Sequence, residues 1–151
     1  MRYATERDNG TRMREHLGTG GPFPDLELPD HTGSLRRLSE LAAGDPLFLN
    51  FYRGFWWPKE QAFYRGLVRL QDEAEVTYTR FVSVSIDPPE VAAAFRASLD
   101  ARWTFLSDAE RRNQAELGLR ETTDTVQRPY LPASFLLSPD LSIHRVWNDW
   151  F

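Results

Sequence analysis

The chain has no cysteine among its 151 residues. That absence excludes disulfides, thiol nucleophiles and thiolate metal sites. Lysine is scarce as well: Lys59 stands alone against 17 arginines, a bias that base composition explains more simply than function. No run of about 18 apolar residues occurs, so no membrane-spanning helix is expected. The opening "MRYATERDNGTRMREHLG" lacks the apolar stretch of a secretory signal, which leaves a cytoplasmic location by default. Nor is there an excess of positive charge. The net charge of −4 argues against a nucleic-acid partner. His16, His31 and His144 have no ligand-type neighbours at metal-binding spacing, so neither metal nor cofactor is expected.

What remains is ordinary for one soluble domain with a proper core: 41% hydrophobic and 26% charged residues. Residues 1–20 are polar and end in "GTGG", which reads as an arm ahead of a domain over 21–151. "DLELPDHTGSLRRL" alternates around a turn and predicts a β-hairpin. "SELAAG" predicts a short helix capped by Ser39 and ended by Gly44. The apolar run 46–52 predicts a buried strand. A helix opening at Pro58 should bury Phe63, Leu67, Leu70 and Ala74. "YTRFVSVSI" predicts a second core strand. Asp87, Pro88 and Glu90 look like a cap, a first-turn proline and a capping-box acid for a helix that buries Val91, Phe95 and Leu99. "WTFLS" is a short strand, and Ser107 with Glu110 resembles another capping box. Residues 118–131 are irregular, and "ASFLLS" with "LSIHRVW" predicts a closing hairpin. Strands alternating with helices imply an α/β architecture with a mixed sheet flanked by helices.

This order resembles the thioredoxin fold in its redoxin or peroxiredoxin-like form, the alkyl-hydroperoxide-reductase/thiol-specific-antioxidant group. The resemblance is carried by "PDLELPDHTGSLRRLSEL", "LFLNFYRGFWWPKEQ", "RFVSVSIDPPEVAAAF", "WTFLSD" and "LPASFLLSPDLSIHRVW", and spans roughly residues 22–148. It implies a thioredoxin-like fold with an N-terminal hairpin; the family's terminal helix has no counterpart before Phe151. Thioredoxins place two cysteines where this chain has Trp57 and Glu60, and the peroxidatic proline–threonine–cysteine pattern is absent as well. The resemblance further implies that Pro132 faces the active-site loop through a cis peptide bond.

Without sulfur, the loop must do something else. Trp57 at the helix N-cap has no acceptor oxygen, so the first-turn N–H groups need other partners. Open donors at a helix start attract anions, and Arg53 and Lys59 flank this one. Phe55, Trp56 and Trp57 would wall a pocket for a small organic molecule, anionic or carbonyl-bearing, unless Trp57 plugs the cleft. Glu60 is either a capping-box acid or a buried general base with raised pKa. Tyr52 and Arg53 lie where a strand leaves the sheet, and Arg128, Tyr130 and Pro132 would line the facing wall. The predicted catalytic set is Glu60, Tyr52 and Lys59, serving non-redox acid–base chemistry of a biosynthetic kind. The opposing reading is a non-catalytic module that binds a protein partner or itself through "VWNDWF". No membrane partner is expected.

Overall fold

The computed structural model describes residues 17–121 and 123–147. Two strands, β1 (Glu27–Pro29) and β2 (Leu35–Arg37), pair antiparallel as the predicted hairpin. Asp30 closes the turn by accepting from the N–H groups of Thr32 at 2.8 Å and Ser34 at 3.0 Å. Helix α1 (Leu38–Ala42) follows. Ser39 does not cap it: the serine lies inside the helix, and its N–H and hydroxyl both donate to Asp25. Ala43 in the left-handed region ends the helix, one residue before Gly44.

The main sheet holds β3 (Leu47–Phe51), β4 (Arg80–Ser85), β5 (Thr104–Ser107), β6 (Ala133–Leu137) and β7 (Ile143–Trp147) in the order β5-β4-β3-β6-β7. The first three run parallel, while β6 and β7 are antiparallel to their neighbours. This is the mixed sheet expected. The remaining helices are α2 (Pro58–Val76), α3 (Pro89–Leu99) and α4 (Arg112–Leu117).

Alternation along the strands divides the core in two. Leu47, Leu49 and Phe51 join Val82, Val84 and Leu106 in a largely aliphatic cluster that takes in α1 and Leu117 of α4. Tyr52 joins Tyr64, Phe95, Trp103 and Phe105 in an aromatic cluster under α2 and α3. Leu17, placed in the arm by sequence, is fully buried in the first cluster.

Helix α2 corrects the expected stripe. It buries Glu60, Tyr64, Leu67 and Gln71, whereas Phe63 and Leu70 are exposed. Polar side chains can occupy that face because each finds a partner. Tyr64 donates to Asn50, and Gln71 bonds Asp100 and Arg102 backbone.

The other caps differ as well. Helix α3 starts at Pro89 with Pro88 as its N-cap and no side-chain cap, so Asp87 is free of that duty. Helix α4 starts at Arg112, and the Asp108 carboxylate, not Ser107 or Glu110, accepts its first N–H groups. Trp147 on the edge strand is 43% exposed, with the Arg145 guanidinium over its ring. The remainder of "VWNDWF" after Trp147 lies outside the described residues.

Candidate functional site at the end of the third strand

Tyr52 extends β3 by one bond, its N–H donating to Val84 at 3.0 Å. The chain then turns out through Arg53 and Gly54. Gly54 has φ +155°, and a Cβ there would fall 1.8 Å from the Trp56 ring. Glycine is required because the indole lies directly on this backbone. Trp57 is the N-cap of α2 with Pro58 behind it, as the sequence predicts. The helix start is less open than expected. The Trp57 N–H donates to Gly54 at 3.3 Å, and the Glu60 N–H turns back to Trp57 at 3.0 Å.

Glu60 is not a capping-box acid. Its carboxyl reaches past Trp57 and accepts from the Arg53 N–H at 2.6 Å. Asp87, at the end of the neighbouring strand, accepts from the Phe55 N–H at 3.3 Å. Two buried carboxyls thus hold the loop 53–55 by its backbone. Burial pushes Glu60 up to about 7, against the pull of the Arg53 N–H and guanidinium. Burial also pushes Asp87 up to about 6, opposed by the Phe55 N–H.

Tyr52 is 1% exposed. Its hydroxyl feels both carboxyls. The Ser85 hydroxyl comes within its reach, yet no hydrogen bond of good geometry forms. Burial first, and then the two acids, keep this phenol protonated far above its ordinary range.

Arg53 is committed elsewhere. Its guanidinium pairs with Glu121 at 3.0 Å and lies 4.6 Å over the Trp57 ring. Trp57 is half-buried and Phe55 is 45% exposed. Phe55 and Trp56 meet edge to face at 5.9 Å. Lys59 is exposed on the first turn of α2.

The facing wall is built differently from the expectation. Tyr130 is fully buried with its ring 4.9 Å from Phe51, and its hydroxyl donates to Asp108 at 2.7 Å. It serves the aliphatic core. Arg128 is exposed, and its carbonyl accepts from Arg111 and Gln114. Pro132 is buried beside Ala133, the partner of Phe51, but the Leu131–Pro132 bond is trans; no cis peptide occurs among the described residues. The Leu131 N–H is drawn to Leu119 at 2.6 Å, part of a short ladder that also pairs Arg120 with Tyr130. The backbone in front of Pro132 is therefore fixed by local pairing.

The structure thus gathers Tyr52, Arg53, Phe55, Trp56, Trp57 and Glu60, and adds Asp87 and Glu121, which sequence reasoning missed. Asp87 looks like a cap in the sequence. Pro88 itself is the N-cap of α3, and no side chain caps that helix. Glu121 lies in an irregular segment and gave no signal. Beside the loop, between α2 and α3, runs a groove of about 590 Å³ with Val91, Phe95 and Leu99 among its lining and Arg65 and Glu90 at its polar edge. Of the residues predicted for the site, Phe55 lines it. Among the described residues no cluster of three or more histidines and acids is placed to hold a metal ion. No described helix is long and apolar enough to cross a membrane.

The sequence model of the AhpC/TSA family matches residues 19–146. The chain belongs to this family. A Mycobacterium tuberculosis protein that carries the peroxiredoxin name is 33% identical over 138 residues, 89% of this chain and 88% of that one. The crystal structure of peroxidoxin BcpB from the same organism superposes with a TM-score of 0.82 at 29% identity, covering 90% of this chain and 88% of that one. PrxQ from Xylella fastidiosa, at 19% identity and a TM-score of 0.78, shares the fold over 91% of this chain and 89% of its own. Within this peroxiredoxin-like thioredoxin fold, the present member has no cysteine.

Proposed function

We propose that this protein is a redox-inert member of its family that binds a small organic molecule at the end of β3, with Glu60 as the group that accepts and returns a proton. The relatives' names point to peroxide reduction. That chemistry needs a thiolate, and this chain has none to offer. The observation that carries the reading is the presence of two buried carboxyls that accept from backbone N–H groups of the same loop, Glu60 from Arg53 and Asp87 from Phe55. A carboxyl poised near neutrality is suited to proton transfer at the pH of the cell. Such groups collect at sites of chemistry more often than in cores that only pack.

The test has two arms. The metal-free protein should consume no hydroperoxide. A library of small organic molecules should contain ligands that raise its thermal midpoint, and Trp57→Ala should weaken them while leaving the fold intact. Hydroperoxide turnover by the unmutated protein would overturn the first arm. If no compound shifts the midpoint and Trp57→Ala is strongly destabilising, Trp57 is a plug. A second reading would then take over, that of a non-catalytic module. The exposed Trp147 on the edge strand favours it, and its signature would be self-association or partner capture lost with Trp147→Ala.

A further inference from the structure

We propose that Glu121 is a positioning residue for the proton on Glu60: it pairs with the Arg53 guanidinium and offsets that cation beside the Glu60 carboxyl, so the segment carrying Glu121 sets how readily Glu60 ionises. This rests on the ligand-site reading above and assigns its regulation.

Arg53 is held at both ends. Its N–H donates to Glu60 at 2.6 Å, and its guanidinium reaches Glu121 at 3.0 Å while lying 4.6 Å over the Trp57 ring. One residue thus joins the acid of the site, its aromatic wall and a carboxylate 68 positions along the chain. The pair is sheltered. Its side chains are 19% and 10% exposed, so salt and water screen it far less than a pair on the open surface.

Glu121 is presented by the irregular segment between α4 and β6. The Leu131 N–H donates to Leu119 at 2.6 Å and closes the segment at its base, and the Glu121 N–H donates to Pro129 at 3.0 Å. The Thr123 hydroxyl donates to one carboxylate oxygen, and the guanidinium takes the other. The carboxylate is therefore aimed at Arg53 from both sides.

Charge links this pair to Glu60. Burial raises Glu60 to about 7, and the Arg53 N–H and then the Arg53 guanidinium oppose the rise. The first opponent is backbone and stays wherever the loop keeps its shape. The second depends on what else the guanidinium faces. A carboxylate 3.0 Å away offsets the positive charge that Glu60 feels, and its own negative charge acts in the same direction. With Glu121 in place, Glu60 keeps its proton to higher pH. With the segment withdrawn, stacking on Trp57 still holds the guanidinium at the site, and the bare cation favours the ionised carboxyl.

The other titratable groups around Glu60 are few. Burial keeps the Tyr52 and Tyr64 phenols protonated. Asp87 holds the loop from the neighbouring strand, and Lys59 is exposed on the same turn of α2.

Carboxyl carbon NMR titration of Glu60 in the full chain tests this in the parent, Glu121→Gln, Arg53→Met and the double variant. Glu121→Gln should lower the Glu60 midpoint by about half a pH unit or more, and Arg53→Met should raise it. With Arg53→Met already present, Glu121→Gln should lose most of its effect, because no cation is left to uncover. Asp87, read in the same spectra, should hold its midpoint near 6 in Glu121→Gln, which shows that the site is intact. An unchanged Glu60 midpoint in Glu121→Gln, an equal fall in both backgrounds, or a matching shift of Asp87 would overturn the role of Glu121 while the site reading stands. A parent Glu60 that titrates around 4 would remove the site reading itself.

Discussion

Two aspartates close neighbouring parallel strands, and they live differently. Asp87 follows β4 and Asp108 follows β5. They are tied together, since the Ser107 hydroxyl donates to the Asp87 carbonyl and the Asp108 N–H donates to Ser85. Both are buried, and burial raises both. Asp108 accepts from the N–H groups of Arg112, Asn113 and Gln114 and from the Tyr130 hydroxyl. These four donors work against the rise and hold a helix start and a core tyrosine in place. Asp87 has the Phe55 N–H at 3.3 Å. The helix after it has Pro88 as its N-cap and no side-chain cap, so Asp87 does no capping work. A carboxyl with its donors supplied is architecture. On our proposal, the carboxyl with fewer donors belongs to the ligand site.

The largest consequence of this contrast falls on Asp108. Asp108→Ala strips the cap of α4 and leaves the Tyr130 hydroxyl buried without a partner. A loss on the order of 3 kcal/mol is expected, read from urea unfolding. A loss below about 1 kcal/mol would place Asp108 with Asp87 and break the comparison.

Next in size come the acids of the site. A group whose folded pKa is raised stabilises the fold most when protonated, below its unfolded pKa. That contribution is lost as pH rises through the folded value. For Glu60 the window runs from its ordinary 4.5 to about 7, and for Asp87 from 3.8 to about 6. Stability should therefore fall across these windows, by on the order of 3 kcal/mol at most for each acid. Glu60→Gln and Asp87→Asn should each flatten the fall in the matching window, so the variants gain on the parent at higher pH. Denaturant midpoints at several pH values measure it. A parent whose stability rises from acid to neutral pH, with no effect of either substitution, would contradict the assignment.

A smaller effect separates two buried tyrosines. Tyr130→Phe removes a hydroxyl that donates to Asp108, and should cost about 1–2 kcal/mol. Tyr52→Phe removes one that forms no well-aligned hydrogen bond, and should lie within about 0.5 kcal/mol of neutral. Equal costs would mean that Tyr52 has a structural partner and the site loses its unpartnered group.

Much of this was legible in the chain. The hairpin, the strand at 46–52, the helix at Pro58 with Trp57 as its cap, and the closing hairpin follow from periodicity and turn chemistry, and the structure has them. The caps were misread where a side chain found a better partner elsewhere: Ser39 joins Asp25, Ser107 joins Asp87, and Glu60 joins Arg53. Local sequence cannot weigh those distant partners. The stripe of α2 was misread for the same reason, since Glu60 and Gln71 are buried only because remote backbone satisfies them. Within the site, the loop residues were visible as a cluster. Asp87 was hidden behind a capping pattern, and Glu121 sits 68 residues from the arginine it neutralises.

The loop 53–55 is held by two buried acids whose pKa values burial raises, Asp87 to about 6 and Glu60 to about 7. Carboxyl carbon NMR titration of Glu60, Asp87 and Asp108 in the intact protein, with Gln and Asn variants for assignment, reads this directly. The account predicts a Glu60 midpoint near 7 and an Asp87 midpoint near 6. Glu60 and Asp87 both titrating in the ordinary carboxylate range, around 4, would contradict it.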